Sequence, residues 1–184
     1  RLGRLGATIE KVEAATAASL RRRRAAPTLR GKPASAHQRE GRAIYAESIG
    51  YVQQIDVTAL QGHAEKSKLR ISVASLPGTF SAPNRALAYV AADSGDLSEI
   101  DHDQIAQAFL MGHDRIFDED PRFGLVVLAE IAGRALSPAV NDPGTAIDII
   151  GRFVRLFALW NQPAGEGEKR PVDCNRVSVP ELSV

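Results

Sequence analysis

At 184 residues, 44% hydrophobic and 24% charged, the chain has room for one full core, or one core and a smaller lobe, with the composition of a globular domain. No run of 18 or more uncharged apolar residues occurs, so no segment reads as a bilayer-spanning helix, and the N-terminus lacks the apolar region of a signal peptide. The lone cysteine, Cys174, excludes an internal disulfide and any multi-cysteine metal site.

The net charge of +1 conceals an asymmetry. Residues 1–42 carry eleven Lys and Arg against Glu10, Glu13 and Glu40, a balance of +8, and the remainder carries twelve against nineteen, −7. A basic arm on an acidic body points to a polyanionic neighbour. The first residue is Arg rather than Met, which reads as a piece of a longer protein starting just ahead of a helix.

Leu2, Leu5, Ile9, Val12 and Leu20 follow helical spacing, so about residues 4–24 are expected to form an amphipathic helix. Arg21, Arg22, Arg23 and Arg24 fill its last turn, where cations complement the helix dipole. Residues 25–40, rich in Pro, Gly and basic side chains, read as a linker. Strand-favouring residues follow at 42–48 and 51–55, then Asp56 opens a short helix over 57–66. Residues 69–76 alternate as a half-buried strand, Pro77-Gly78 signals a turn, and 84–90 reads as a further strand. From Ser98 the period becomes helical through about Leu110, with Gly112 as a break.

Asp120-Pro121 and Asp142-Pro143 open the two most apolar stretches. An Asp suits the N-cap and a Pro the first helical position, so helices are expected at 121–136 and 143–160 as an antiparallel hairpin. Each holds three charged residues, so both are expected to be largely buried, in a core or a subunit interface. Glu130–Arg134 and Asp148–Arg152 are spaced to form i,i+4 ion pairs. The fold class that results is α+β: a small mixed β lobe, then a helical part with a buried antiparallel helix hairpin, preceded by a basic amphipathic helix. The expected divisions are 1–40 as basic helix and linker, 41–162 as one domain (β-rich over 41–93, helical over 98–162), and 163–184 as an irregular tail.

Gly112-His-Asp-Arg115, Asp118-Glu-Asp-Pro-Arg-Phe-Gly124 and Arg134-Ala-Leu-Ser-Pro-Ala-Val-Asn-Asp-Pro-Gly-Thr-Ala146 together resemble the signature of an uncharacterised bacterial family. That family is the predicted membrane protein group, domain-of-unknown-function family 2254. Ile49-Gly-Tyr-Val-Gln-Gln-Ile-Asp56 and Leu76-Pro-Gly-Thr-Phe80 agree with it, and Glu119, Val126, Ala139-Val140 and Thr79 depart from its pattern. The resemblance implies N-terminal transmembrane helices followed by an extramembrane region, of which this chain is the latter. It implies location and topology, and no activity.

Asp118, Glu119 and Asp120 are acids suited to Mg²⁺ or Ca²⁺, but a helix N-terminus welcomes the same side chains. His37, His63, His102 and His113 lack metal-ligand spacing, and neither a nucleophile elbow nor a phosphate-binding loop occurs. No cofactor or metal is therefore expected. A ligand site, if one exists, is expected where the 118–123 and 137–145 loops converge, with Arg115, Asp120, Arg122, Arg134, Ser137, Asn141, Asp142 and Thr145 as its residues. Arg21–Arg24 are expected at an anionic membrane surface, and nucleic acid is not expected because no aromatic residues interleave with the basic ones. The leading expectation is a non-enzymatic domain on the cytoplasmic side of a bacterial inner membrane, self-associating and regulatory or assembly-related. The alternative is a ligand-sensing or hydrolytic site at the two loops.

Overall fold

Helix α1 (Leu2–Ala25) turns one stripe inward, and its spacing is three and four residues throughout: Ile9, Val12, Thr16, Ser19 with Leu20, and Arg23. That repeat is the one helices use to pack side by side. α1 packs against both members of the expected hairpin, α4 (Pro121–Ala135) and α5 (Pro143–Asn161), which also pack against each other. The three helices form one compact unit together with the segment through residue 168. Leu128, Ile149 and Leu156 are its fully buried centre, with Ile9, Val12 and Leu20 supplied by α1. The computed structural model describes residues 2–35, 40–98 and 100–184, so His37 and Glu99 lie outside the described residues.

The second compact unit spans residues 26–115 and 169–183. Its five-stranded mixed sheet runs in the order β1 (Gly31–Pro33), β8 (Cys174–Val179), β4 (Leu69–Val73), β6 (Ala86–Ala92), β2 (Arg42–Tyr45). β8 is parallel to both its neighbours, and the other pairings in this sheet are antiparallel. A three-stranded antiparallel sheet runs β5 (Phe80–Ser81), β3 (Gly50–Ile55), β7 (Phe109–Gly112). Helix α2 (Val57–Lys66) covers β8 and β4, and the short α3 (His102–Gln107) lies against β2 and β7. Leu60, Ile71, Leu87, Val90 and Val177 are buried at the centre of this unit.

Local chemistry explains the boundaries. Asp56 Oδ1 accepts from the Ala59 N–H at 2.9 Å, and Asp101 Oδ1 from the Gln104 N–H at 3.0 Å, so each caps a helix as its side chain dictates. Leu76-Pro77-Gly78-Thr79 closes with Thr79 N–H donating to Leu76 O at 3.0 Å. Gly78 at φ +89° supplies the left-handed third position that a type II turn requires.

The α+β class is observed, but the expected divisions are redrawn. α1 is not an appendage, because its apolar stripe completes the core of the α4–α5 hairpin. The 163–184 tail is not irregular throughout: β8 buries Cys174, Val177 and Val179 and sits inside the five-stranded sheet. The linker contains β1, which pairs with β8. The helix expected from Ser98 to Leu110 stops at Gln107, because Phe109–Gly112 pairs with β3 instead. The hairpin is also only half buried. The outer face of α5 leaves Ile147, Ile150, Val154 and Phe157 exposed.

Gly124 sets the α1–α4 approach, since a Cβ there would overlap the Thr16 hydroxyl. The Thr16 Oγ1 in turn donates to Val12 O at 2.6 Å, and the residue is fully buried. Gly124→Ala is therefore expected to destabilise the helical unit by about 1–3 kcal/mol, as overpacking does, despite the better helix propensity of Ala. Adding Thr16→Ala should recover part of that loss in urea denaturation. Equal stability of wild type and Gly124→Ala would contradict the close contact.

Candidate functional site

The functional groups concentrate where the C-terminal end of α1 meets the start of α4. Arg22 donates from Nε and Nη2 to the Asp118 carbonyl, at 3.1 and 2.6 Å, and its guanidinium lies 3.7 Å from the Asp118 carboxylate. Ser19 Oγ donates to the same carbonyl at 3.3 Å. One turn further, Arg23 donates from Nη2 to the Glu119 carbonyl at 2.9 Å and is 3% exposed, beside Asp120 at 2%. Burial works to lower the Arg23 pKa, and the nearby charges of Glu119 and Asp120 oppose it. Arginine stays protonated in any such setting, so this is a buried cation between acidic neighbours.

The arrangement changes the meaning of two sequence features. The arginine run is not a uniform lipid-facing patch. Arg21 and Arg22 are exposed and Arg24 is partly exposed, but Arg23 points into the protein. Asp120 is also not the side-chain cap that its position before Pro121 suggests, since it makes no capping hydrogen bond. The acidic triplet faces arginines from α1, which neutralise it where a divalent cation would otherwise be sought.

A second charged cluster joins α1 to α5. Glu13 accepts from Arg152 Nη1 at 2.5 Å and from Arg155 Nε at 2.8 Å, and Arg152 Nε donates to Asp148 at 2.9 Å. The last of these is one of the expected i,i+4 pairs. The Arg155 hydrogen bond, together with that of Arg152, holds the Glu13 carboxyl below its ordinary range, although burial works the other way. A depressed carboxyl stabilises the fold above its unfolded pKa, and that contribution is lost as pH falls through the folded value.

The loop between α4 and α5 is closed by its own hydrogen bonds. Ser137 Oγ donates to Arg134 O at 2.7 Å, and Ser137 O accepts from the N–H groups of Val140 and Asn141 at 3.0 and 2.8 Å. Asn141 sits at φ +48°, a conformation its side chain tolerates well. Asp142 takes the Thr145 N–H at 3.1 Å and the Thr145 hydroxyl at 2.6 Å, which hold its carboxyl below the ordinary range. Ser137, Asn141, Asp142 and Thr145 thus come together as a helix–helix connection, with the anionic cap already in place at the α5 N-terminus.

The remaining candidates are separated. Asp120 and Arg122 stand at one end of α4, and Arg134 and Ser137 at the other. Fifteen helical residues put about 22 Å between the two loops, more than a helix diameter. Arg122 and Arg134 are exposed, and Arg115 belongs to the β-rich unit. The converging pocket required by the ligand-sensing reading is not what α4 builds. Sequence reasoning missed Arg23, Glu13 and Arg152 as the polar residues that bind the helices together. The three-and-four spacing that carries Thr16, Ser19 and Arg23 into the inward stripe of α1 was the available signal.

Residues 1–184 match the family described as Predicted membrane protein (DUF2254). The chain is similar to an uncharacterized protein of Mycobacterium tuberculosis and to one of Mycobacterium bovis, each 30% identical over 114 residues. The matched region is 58% of this chain and 21% of either relative, so the part that aligns is about a fifth of their length. No solved structure matches it.

Removing the buried cation should cost far more than removing its exposed neighbour. Arg23→Met is expected to destabilise the helical unit by about 3 kcal/mol or more, because acidic neighbours lose their counter-charge. Arg22→Ala, whose carboxylate partner is well exposed, should cost about 1 kcal/mol or less. Urea titration followed by Trp160 fluorescence compares them, and similar costs for the two would contradict the assignment.

Proposed function

Because the chain belongs to the predicted membrane protein family DUF2254, we propose that it is the extramembrane, cytoplasm-facing domain of a polytopic bacterial inner-membrane protein, with an assembly or regulatory role. The carrying observation is one of proportion. The part of the chain that aligns is about a fifth of its curated relatives, and no described helix is long and apolar enough to cross a membrane. Membrane crossing in the family then falls to the remainder of the protein.

The cytoplasmic side is supported by charge. The exposed face of α1 carries Arg4, Lys11, Arg21 and Arg22 against Glu10, and basic segments flanking membrane spans favour the cytoplasm. Each such residue near an anionic lipid surface is worth about 1 kcal/mol, so this face and the protein's own transmembrane region are its proposed partners. A non-catalytic role is supported by how the polar residues are used: the clusters described above tie helices to one another or close a turn.

Topology reporters fused after Val184 of the full-length protein test the reading. A cytoplasmic domain predicts a fluorescent green fluorescent protein fusion and an inactive alkaline phosphatase fusion. Active phosphatase would place the domain on the opposite side and overturn the proposal.

A further inference from the structure

The outer face of α5 carries a second three-and-four repeat, and among the described residues of the helical unit this one has no partner. Ile147, Ile150, Val154 and Phe157 are 68, 60, 63 and 42% exposed, while the inner face of the same helix buries Ile149 and Leu156. A helix apolar on both sides is one that expects a second contact. Gly144, Gly151 and Ala158 recur every seven residues beside the stripe, leaving room for another helix to approach closely. The nearest charged side chains, Asp148 and Arg155, are engaged with Arg152 and Glu13 rather than standing in the stripe.

We propose that this face is the contact between two copies of the chain, with α5 packed on its two-fold mate. The inference rests on the assembly role proposed above and names its partner. Four observations favour a second copy. The spacing is that of a helix–helix seam. The stripe is symmetric about position 152, where Ile147 mirrors Phe157 and Ile150 mirrors Val154, so an antiparallel copy meets it self-complementarily as a two-fold axis requires. The four side chains present on the order of 400 Å² of apolar surface, the size that marks an interaction site on a monomer. Leu136 and Val140, 59 and 54% exposed in the connection that leads into α5, offer further apolar surface, and with them two copies would remove about 1,000 Å², the lower bound of a specific interface. A lipid surface fits less well, because a helix lying in the interface turns a basic, polar face to water, whereas the opposite side of α5 is the protein core.

Sedimentation of the 184-residue chain at tens of micromolar tests the proposal, with Val154→Glu as the seam variant and Lys11→Glu on the exposed face of α1 as the control. Wild type and Lys11→Glu are expected to be dimers. Val154→Glu should weaken the dimer about 100-fold or more while keeping its helical circular dichroism, since position 154 is exposed in one copy. In the full-length protein in its own membrane, Ile150→Cys treated with a bifunctional maleimide should give a crosslinked dimer that the parent protein does not. Cys174 is buried and does not compete. A monomeric wild type, or a Val154→Glu variant that dimerises like wild type, overturns the seam. So does a monomer that binds phosphatidylglycerol vesicles through this stripe, which would make lipid the occupant. Sedimentation does not depend on which side of the membrane the domain faces, so it can fail while the topology experiment succeeds, and the reverse.

Discussion

The helical unit depends on one close contact, where α1 crosses α4 at Thr16 and Gly124 and where Arg23 is then carried into a buried position beside Glu119 and Asp120. The absence of a Cβ at 124 brings the helices together, and that proximity removes water from the end of α1. Once dry, a cation needs an acceptor and counter-charge, and the segment leading into α4 provides the Glu119 carbonyl as the one and the nearby Glu119 and Asp120 carboxylates as the other. Packing and electrostatics are here consequences of the same approach. The Glu13–Arg152–Asp148 cluster repeats the pattern toward α5, so α1 is tied to both arms of the hairpin by charge as well as by Ile9, Val12 and Leu20.

The contrast between helix faces follows from this. α1 puts its basic residues outward, except for Arg23, and its apolar stripe inward, as a surface helix should. α5 buries one apolar stripe and displays another. Leaving Ile147, Ile150 and Val154 in water forgoes roughly 1.5–3 kcal/mol for each such side chain that could otherwise be buried. A domain that presents an uncharged stripe beside a strongly charged helix has separated two kinds of surface. Their separation is the physical basis of the proposed pairing through α5.

Much of the fold was legible from local chemistry. Helical periodicity located α1, α4 and α5 to within a few residues, Asp56 and Asp142 announced their caps, and Pro77-Gly78 its turn. What was not legible depended on partners distant in sequence. Phe109–Gly112 continues a helical pattern and becomes a strand only because β3 accepts it. Within Cys174–Val179 only Val177 and Val179 alternate, and a Gly- and Pro-rich approach further obscures a strand whose neighbours lie about a hundred or more residues earlier. The arginine run looked like a surface feature because charge counting is blind to acceptors 96 residues away. The two Asp-Pro starts looked equivalent and are not: Asp142 caps its helix, and Asp120 sits beside a buried arginine.

α1 is a structural member of the helical unit and not a basic arm attached to it. Hydrogen–deuterium exchange of the intact chain tests this most directly. The amides of residues 12–20 should be protected together with those of 124–132 and 149–156, and all three should open with one common free energy. Rapid exchange of residues 12–20 while α4 and α5 stay protected would show an independent arm, and would contradict the account.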